Sequence, residues 1–448
     1  MSSASQNASD AGLRRQLTAG QMAMVGVGGS IGTGLLLGSG AAARIAGPAV
    51  ILSFAAAALI TWTVTMALGE MASLHPSAGS FGTYAELYLN PWAGFISRYG
   101  YWLAIAIAIG GELVASATYM HYWFPSVQAI VWIVLFAAGL LAVNLRTVGD
   151  YGRFEFWFAM IKLVTILAFI VLGAALLLGH RVAPQYTASG GFFPNGHGAP
   201  LLAMSFSLFT FAGIEMVAIS SGESRSRQEI PRAVRLTFGL LTLVYMGAIV
   251  VLVGVMPWNG AGVTESPFVT VFRHVGLPAA SHLMNFVVLS AALSGANASL
   301  YVDSRTLFSL ARGGYAPAAL GKLTAAGAPL RALLVSSFGI VVAVVMERWA
   351  PEDAFVYLLG AAVFGAMLAW LVALAAHVRF RARLSPAEFA TLPMRSPGGA
   401  TASIIGSIAI VGSLAATWWY SRVTVLSGVV YIVGLSAAYL LARKEAEG

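Results

Sequence analysis

Glu112, Lys162 and Glu215 stand inside long apolar stretches of a 448-residue chain. A charge in hydrocarbon is costly, and where one occurs it usually carries a proton, pairs with an opposite charge or binds a charged solute. Lys162 follows Phe154 by eight residues, about 12 Å along a helix. That is too deep for its amine to reach the near interface, so it faces the protein interior. It is there a proton carrier, since an ammonium desolvates badly, or a fixed cation paired with Glu112 or Glu215, or a permanent tie between helices. Glu215 can titrate, bind an ammonium, or accept hydrogen bonds from a frayed helix end.

The element that must present Glu215 is itself weak, because Phe209-Thr210-Phe211-Ala212-Gly213-Ile214-Glu215 sets a lone glycine ahead of the acid. A stronger interruption, Gly26-Val27-Gly28-Gly29-Ser30-Ile31-Gly32-Thr33-Gly34, lies within an apolar stretch from Met22 to about Ala43. So many glycines let backbone N–H and C=O groups leave the helical ladder, and in lipid this is tolerated only where they line a cavity or a site. Two such breaks five spans apart predict discontinuous helices that meet near the bilayer midplane, as in transporters built from inverted repeats. Close helix packing on small residues is the plainer reading of either glycine group taken alone.

Composition sets the class of the molecule that holds these elements. With 58% hydrophobic and 9% charged residues and a mean hydropathy of +0.81, the chain cannot cover a soluble surface and reads as an integral membrane protein. Apolar stretches of spanning length occur at 20–43, 46–72, 91–121, 124–144, 154–178, 199–222, 233–257, 280–311, 328–348, 352–377, 402–419 and 423–441, twelve in all. This predicts a cytoplasmic tail at 1–19, a ten-helix core at 20–378, a connection at 379–401, two further helices at 402–442 and a tail at 443–448.

With each residue assigned to the side its nearer span end faces, 19 of the 25 Lys and Arg residues fall on one side, among them Arg14, Arg15, Arg225, Arg227, Arg232, Arg235, Arg379, Arg381, Arg383 and Lys444. Only Arg44, Arg181, Arg273, Arg348 and Arg422 fall on the other side, and Lys162 lies within a span. The positive-inside rule makes the rich side cytoplasmic, with both termini there. The formal charge of +8 thus reflects topology and gives no reason to expect nucleic acid. Glu70, Glu223 and Asp303 sit near cytoplasmic span ends, where salt bridges to Arg305 or Arg225 are the plain expectation.

Other chemistry is excluded by pattern. There are no cysteines, hence no disulfide or thiolate site, and His75, His121 and His274 are not grouped as metal ligands. The first glycine run has isoleucine where a dinucleotide fingerprint needs its third glycine, and no Gly-Lys-Ser phosphate loop occurs. Neither a metal nor a cofactor is expected, nor direct ATP drive, nor an enzyme.

Taken in order, several motifs resemble a bacterial amino-acid permease of the amino acid–polyamine–organocation superfamily, in its amino-acid transporter branch. They are Gly28-Gly29-Ser30-Ile31-Gly32-Thr33-Gly34-Leu35, Gly69-Glu70-Met71-Ala72 and His75-Pro76-Ser77-Ala78-Gly79-Ser80-Phe81. Trp157-Phe158-Ala159-Met160-Ile161-Lys162, Gly213-Ile214-Glu215, Gly222-Glu223-Ser224 and Ile230-Pro231-Arg232-Ala233 follow. The resemblance covers nearly the whole chain. It implies an all-α membrane fold of the leucine-transporter type: a five-plus-five inverted repeat with broken first and sixth helices, two further helices, and alternating access.

The resemblance also implies a site. The substrate carboxylate would meet N–H groups of the first break, at Ser30, Gly32, Thr33 and Gly34, where a half-helix presents its positive end. The ammonium would meet carbonyls of Ile31, Phe209, Thr210 and Ala212. Phe209 or Phe211 would gate the pocket, with Ser116, Ser294 and Asn297 lining it. The family's proton-coupled members carry a lysine at the position of Lys162, so proton symport is expected over sodium, with Glu215 as a second coupling residue. Glu112 reads a cationic side chain or neutralises Lys162. The expected cargo is neutral or broad L-amino acids, taken up across a bacterial inner membrane. The alternatives are a cationic amino-acid permease, an exchanger, a receptor or an uncoupled channel. The partners are the amino acid, the proton and membrane lipid. Ser294-Gly295-Ala296-Asn297 permutes the small residues usual in the eighth helix, which bears on pocket shape.

Overall fold

The computed structural model describes residues 16–77, 79–144, 151–188, 190–324, 328–419 and 422–447, with the side chains of 151–156, 423 and 442–447 excepted. Arg14, Arg15 and the rest of the expected tail up to residue 15, Ala78 of the second motif, and the Lys444 side chain lie outside that description.

The described chain is helical, its one β-type contact being an isolated bridge between Leu17 and Ser224. In order the helices are α1 (Ala19–Ser30), α2 (Ser39–Ala46), α3 (Val50–Leu74), α4 (Ser80–Tyr88), α5 (Pro91–His121), α6 (Ala129–Asn144) and α7 (Tyr151–Leu178). Then come α8 (Ala199–Leu202), α9 (Met204–Thr210), α10 (Met216–Ile219), α11 (Glu229–Val255), α12 (Pro267–His274) and α13 (Pro278–Arg312). The last are α14 (Leu330–Ser336), α15 (Phe338–Trp349), α16 (Ala354–Arg383), α17 (Pro386–Thr391), α18 (Gly399–Thr417) and α19 (Arg422–Glu447). Among the described residues nine helical stretches are long and apolar enough to cross a membrane, and α6 is a shorter apolar helix.

Local chemistry starts and stops these helices. Thr18 opens α1 with a capping box to Gln21. Asn90 caps α5 by accepting from Ala93 N, with Pro91 in the first turn. Helix α1 ends where Ile31 turns extended at φ −80°, ψ 93°, and a five-residue π-helical turn, Gly34–Gly38, precedes α2. The sixth stretch breaks between α9 and α10, where Gly213 adopts φ +99°. Both breaks fall where the glycines predict them. Helix α16 runs on to Arg383 and α18 opens at Gly399, so the connection between them is shorter than the hydropathy pattern predicts. The ninth stretch is interrupted at Ser337, between α14 and α15.

The core gathers around α1, α3, α5, α11, α13 and α16, whose inward residues are almost fully buried. Residues such as Val171 (68% exposed) and Val430 (71%) leave apolar faces on α7 and α19, as lipid-facing helices require. Gln16 N and Leu17 N both donate to Glu223 O, and Ala19 N donates to Glu229 Oε2 at 2.7 Å. The start of α1 is thereby tied to the end of the sixth stretch and the start of α11.

Of the acids near the span ends, Glu70 pairs with residues other than the expected Arg305 and Arg225. Glu70 on α3 meets Arg381 Nε at 2.7 Å, His377 Nε2 at 3.1 Å and Ser396 N at 2.7 Å. Its partners come from α16 and the following connection because those pack over the end of α3, whereas Arg225, four residues before the start of α11, pairs with Glu229 at 2.9 Å. Arg305 is two positions from Asp303 and so points to another side of α13. Its guanidinium lies over the Tyr301 ring, 3.2 Å from the centroid.

Candidate functional site

The two breaks touch through their backbones. A Cβ on Gly213 would fall 2.6 Å from Gly29 O, and one on Gly34 would fall 3.1 Å from both Phe209 Cδ1 and Thr210 Cα. No side chain fits between the end of α1 and the turn after α9. The +99° φ at Gly213 is also one that other residues reach only with strain.

Glu112 enters this junction from α5. Its Oε1 accepts a hydrogen bond from Thr33 N at 3.3 Å, and a Cβ on Gly32 would stand 2.8 Å from the same oxygen. On the far side, a Cβ on Gly295 of α13 would stand 3.5 Å from the carboxylate carbon. The other oxygen, Oε2, is buried with no hydrogen-bond partner among the described residues. Lys162 of α7 is 2% exposed, and its charge acts on the Glu112 carboxylate. One carboxylate therefore meets a backbone N–H of the first break, the glycines of two helices and the field of a buried lysine.

Glu215 organises the other break. Its two oxygens each accept from Gly213 N at 3.1 Å, and Oε2 also accepts from Trp370 Nε1 of α16 at 3.2 Å. The Tyr101 side chain of α5 lies beside the same carboxylate. Of the three roles open to Glu215 in the sequence, accepting hydrogen bonds from the frayed end is the one on view.

The remaining expected residues divide. Ser30 and Ser116 are buried with their hydroxyls turned back onto Gly26 O and Glu112 O at 2.8 Å each. Ile31 is 1% exposed. Thr210 Oγ1 donates to Phe206 O at 3.0 Å, and Phe209 O already accepts from Ala212 N at 2.9 Å. Phe209 is half-buried against Gly34. Phe211 is wholly buried and meets Tyr245 edge-on, centroids 4.9 Å apart, so it belongs to the core against α11. Ser294 is buried on α13, and Asn297 accepts a hydrogen bond from Asn144 Nδ2 of α6 at 2.8 Å. Tyr101 and Trp370 are absent from the sequence reading, and Gly29 and Gly295 enter it only as members of small-residue motifs. Aromatic and small residues in apolar helices read as packing, and only the folded chain brings them to the two acids. Among the described residues no group of three His, Asp or Glu is placed to hold a metal.

A family model described as "Amino acid permease" matches residues 21–442. The chain belongs to the amino acid permease family. Its permease relatives extend over most of its length. "Gamma-aminobutyric acid permease" of Bacillus subtilis is 35% identical, with 98% of this chain and 96% of the relative covered. "Aromatic amino acid transport protein AroP" of Escherichia coli K12 is 36% identical over 82% of each. "Probable threonine/serine transporter YbxG" of Bacillus subtilis is 32% identical over 95% and 94%. Among solved structures, a manganese transporter from Eremococcus coleocola superposes with a TM-score of 0.63 at 15% identity, covering 95% of this chain and 92% of that one. That likeness is one of fold. The permease is a multi-pass, all-helical membrane protein of the amino acid–polyamine–organocation superfamily and a transporter of amino acids rather than an enzyme.

Proposed function

We propose that this permease imports neutral L-amino acids with a broad side-chain range, coupled to protons, across a bacterial inner membrane. In this reading the chain crosses the membrane twelve times with both termini cytoplasmic. Its first ten helices form two inverted repeats of five, and α18 and α19 stand outside them.

The observation that carries the reading is the Thr33 N–H to Glu112 contact at 3.3 Å. An amino acid's carboxylate is an anion suited to the N–H groups of a broken helix, and Glu112 already holds one of them. Two carboxylates repel in a water-poor site. Substrate entry therefore requires Glu112 to be neutralised by a proton or drawn toward Lys162, so proton uptake and carboxylate binding favour one another. Ser30, Gly32, Thr33 and Gly34 bind the carboxylate, while carbonyls at Ile31, Thr210 and Ala212 receive the ammonium. Phe209, against Gly34, closes the pocket, and Lys162 and Glu215 complete the proton route.

The relatives are named for γ-aminobutyrate, aromatic amino acids, and threonine or serine. They share a carboxylate and an amine and little else, which supports recognition of those two ends. A cationic substrate would need Glu112 free to meet its side chain, and Glu112 is engaged by Thr33 and acted on by Lys162.

The test is uptake of labelled neutral, aromatic, basic and acidic amino acids into sodium-free proteoliposomes under an inward proton gradient. Accumulation of neutral amino acids that collapses with a protonophore is expected. Gradient-independent movement would mark an exchanger or a channel, and binding without movement a receptor; either overturns the proposal.

A further inference from the structure

Asp303 lies outside the junction just described and has no place in its chemistry. It is fully buried on α13, nine residues before the helix ends at Arg312, or about 13 Å of helix. Neither carboxylate oxygen has a hydrogen-bond partner at normal distance among the described residues. Among the described residues no Lys, Arg or His forms a salt bridge with it, in contrast to Glu70, which is equally buried and holds Arg381, His377 and Ser396 N.

The groups that face Asp303 from the elements packed around it are uncharged. Ser336 of α14 faces it, and because its hydroxyl oxygen accepts from Trp102 Nε1 at 2.9 Å its own O–H is left to donate toward Asp303. Tyr101 of α5 and Tyr431 of α19 both feel its charge. Ser336 is the last residue before the interruption that separates α14 from α15. An acid with no counter-charge therefore sits beside a discontinuity in a neighbouring helix. Tyr101 also lies beside Glu215 at the sixth-helix break.

A carboxylate fixed permanently in such surroundings has a single hydroxyl and no counter-charge to support it, and burial without a counter-charge penalises the charged form. The neutral acid is tolerated there, and an ionisable group at this depth is by default a functional one. We propose that Asp303 is a further proton-carrying carboxyl of the transport cycle, beside Glu112 and Glu215. One proton adds to a carboxylate oxygen as an O–H bond forms. When the transport cycle exposes the site to water, that bond breaks and the proton leaves to solvent. The proposal rests on the proton-coupled reading above.

The experiment compares wild type, Asp303→Asn and Asp303→Glu in proteoliposomes. Its readouts are proton-driven accumulation, the pH profile of initial uptake, gradient-independent exchange of labelled for unlabelled substrate, and the substrate-induced infrared difference spectrum in the carboxylic acid C=O region. Asp303→Asn nearly preserves shape. It is expected to keep exchange, to lose accumulation above the outside concentration, to flatten the pH profile, and to lose one carboxylic acid band. Asp303→Glu is expected to restore part of the accumulation. If wild-type accumulation ignores the proton gradient, the proton-coupled reading fails. If wild type is proton-driven and Asp303→Asn keeps the same accumulation, pH profile and infrared bands, the Asp303 proposal alone is overturned. Loss of exchange together with accumulation in a variant of wild-type thermal stability would make Asp303 a structural residue and equally overturn it.

Discussion

The carbonyl oxygen of Gly29 stands 2.6 Å from the point where a side chain on Gly213 would begin. The first and sixth broken helices are therefore joined main chain to main chain, and the width of the junction is set by the absence of two side chains. Gly213→Ala adds both a clash with backbone and an unfavourable φ, a cost of about 1–3 kcal/mol for the strain alone. Uptake is expected to fall sharply. Gly239→Ala, where nothing lies within 4 Å, should be neutral or slightly stabilising. Equal uptake by the two variants at matched membrane levels would contradict the close contact.

Glu112 holds Thr33 N–H where a substrate carboxylate is proposed to bind. Wild-type affinity for a zwitterionic amino acid should therefore strengthen as pH falls, by at most about tenfold per pH unit for one coupled proton. Glu112→Gln, which keeps an oxygen for Thr33 N but cannot take the proton, should flatten that dependence. A decarboxylated amine should compete far more weakly than its parent amino acid. Isothermal titration across pH reads the first effect and competition uptake the second. An unchanged slope in Glu112→Gln would remove Glu112 from the coupling.

Lys162 is buried with its charge acting on Glu112. Lys162→Ala is expected to retain measurable substrate binding and to lose concentrative uptake. Undiminished pH-driven accumulation in that variant would assign Lys162 a purely structural part.

The acids and glycines at the breaks were legible in the sequence because each violates its surroundings: a charge among apolar residues, or flexible residues where a helix must run. Phe211 and Asn297 show the limit. In sequence Phe211 is as good a gate as Phe209, and only the packing of α11 turns it onto Tyr245. Asn297 meets Asn144, 153 residues away, and no local pattern carries that pairing. Glu70 was recognised as an acid needing a partner, yet Arg381 and Ser396 are 311 and 326 residues distant. Charge demand is visible in a sequence, but the helix that answers it is a matter of tertiary packing.

That Glu70 cluster carries its own prediction. Arg381 donates to Glu70 while the carboxylate side chain is fully buried. Arg381→Leu leaves the acid with His377 and Ser396 N alone. Stability in detergent should fall by about 3–5 kcal/mol, and Glu70→Gln with Arg381→Leu should recover part of the loss. A thermal-denaturation cycle of the two single variants and the double variant measures the coupling.

His75, beyond the end of α3, is held below its ordinary value of 6.5 first by burial and then by the Arg227 charge. A folded state that resists protonation more than the unfolded chain loses stability as pH falls from about 6.5 through the lowered folded value, and is unaffected above. His75→Gln should therefore lose less stability than wild type between pH 8 and pH 5.5. Parallel melting curves for the two proteins would rule out this contribution.

The central claim is that amino acid and proton move together, and it is tested most directly by letting the substrate drive the proton. Proteoliposomes with no initial pH or sodium gradient, loaded with a pH-sensitive dye, are given an inward gradient of a neutral amino acid. The account predicts internal acidification that a protonophore abolishes and Lys162→Ala lacks. Entry of labelled amino acid at the wild-type rate with no change in internal pH would contradict it.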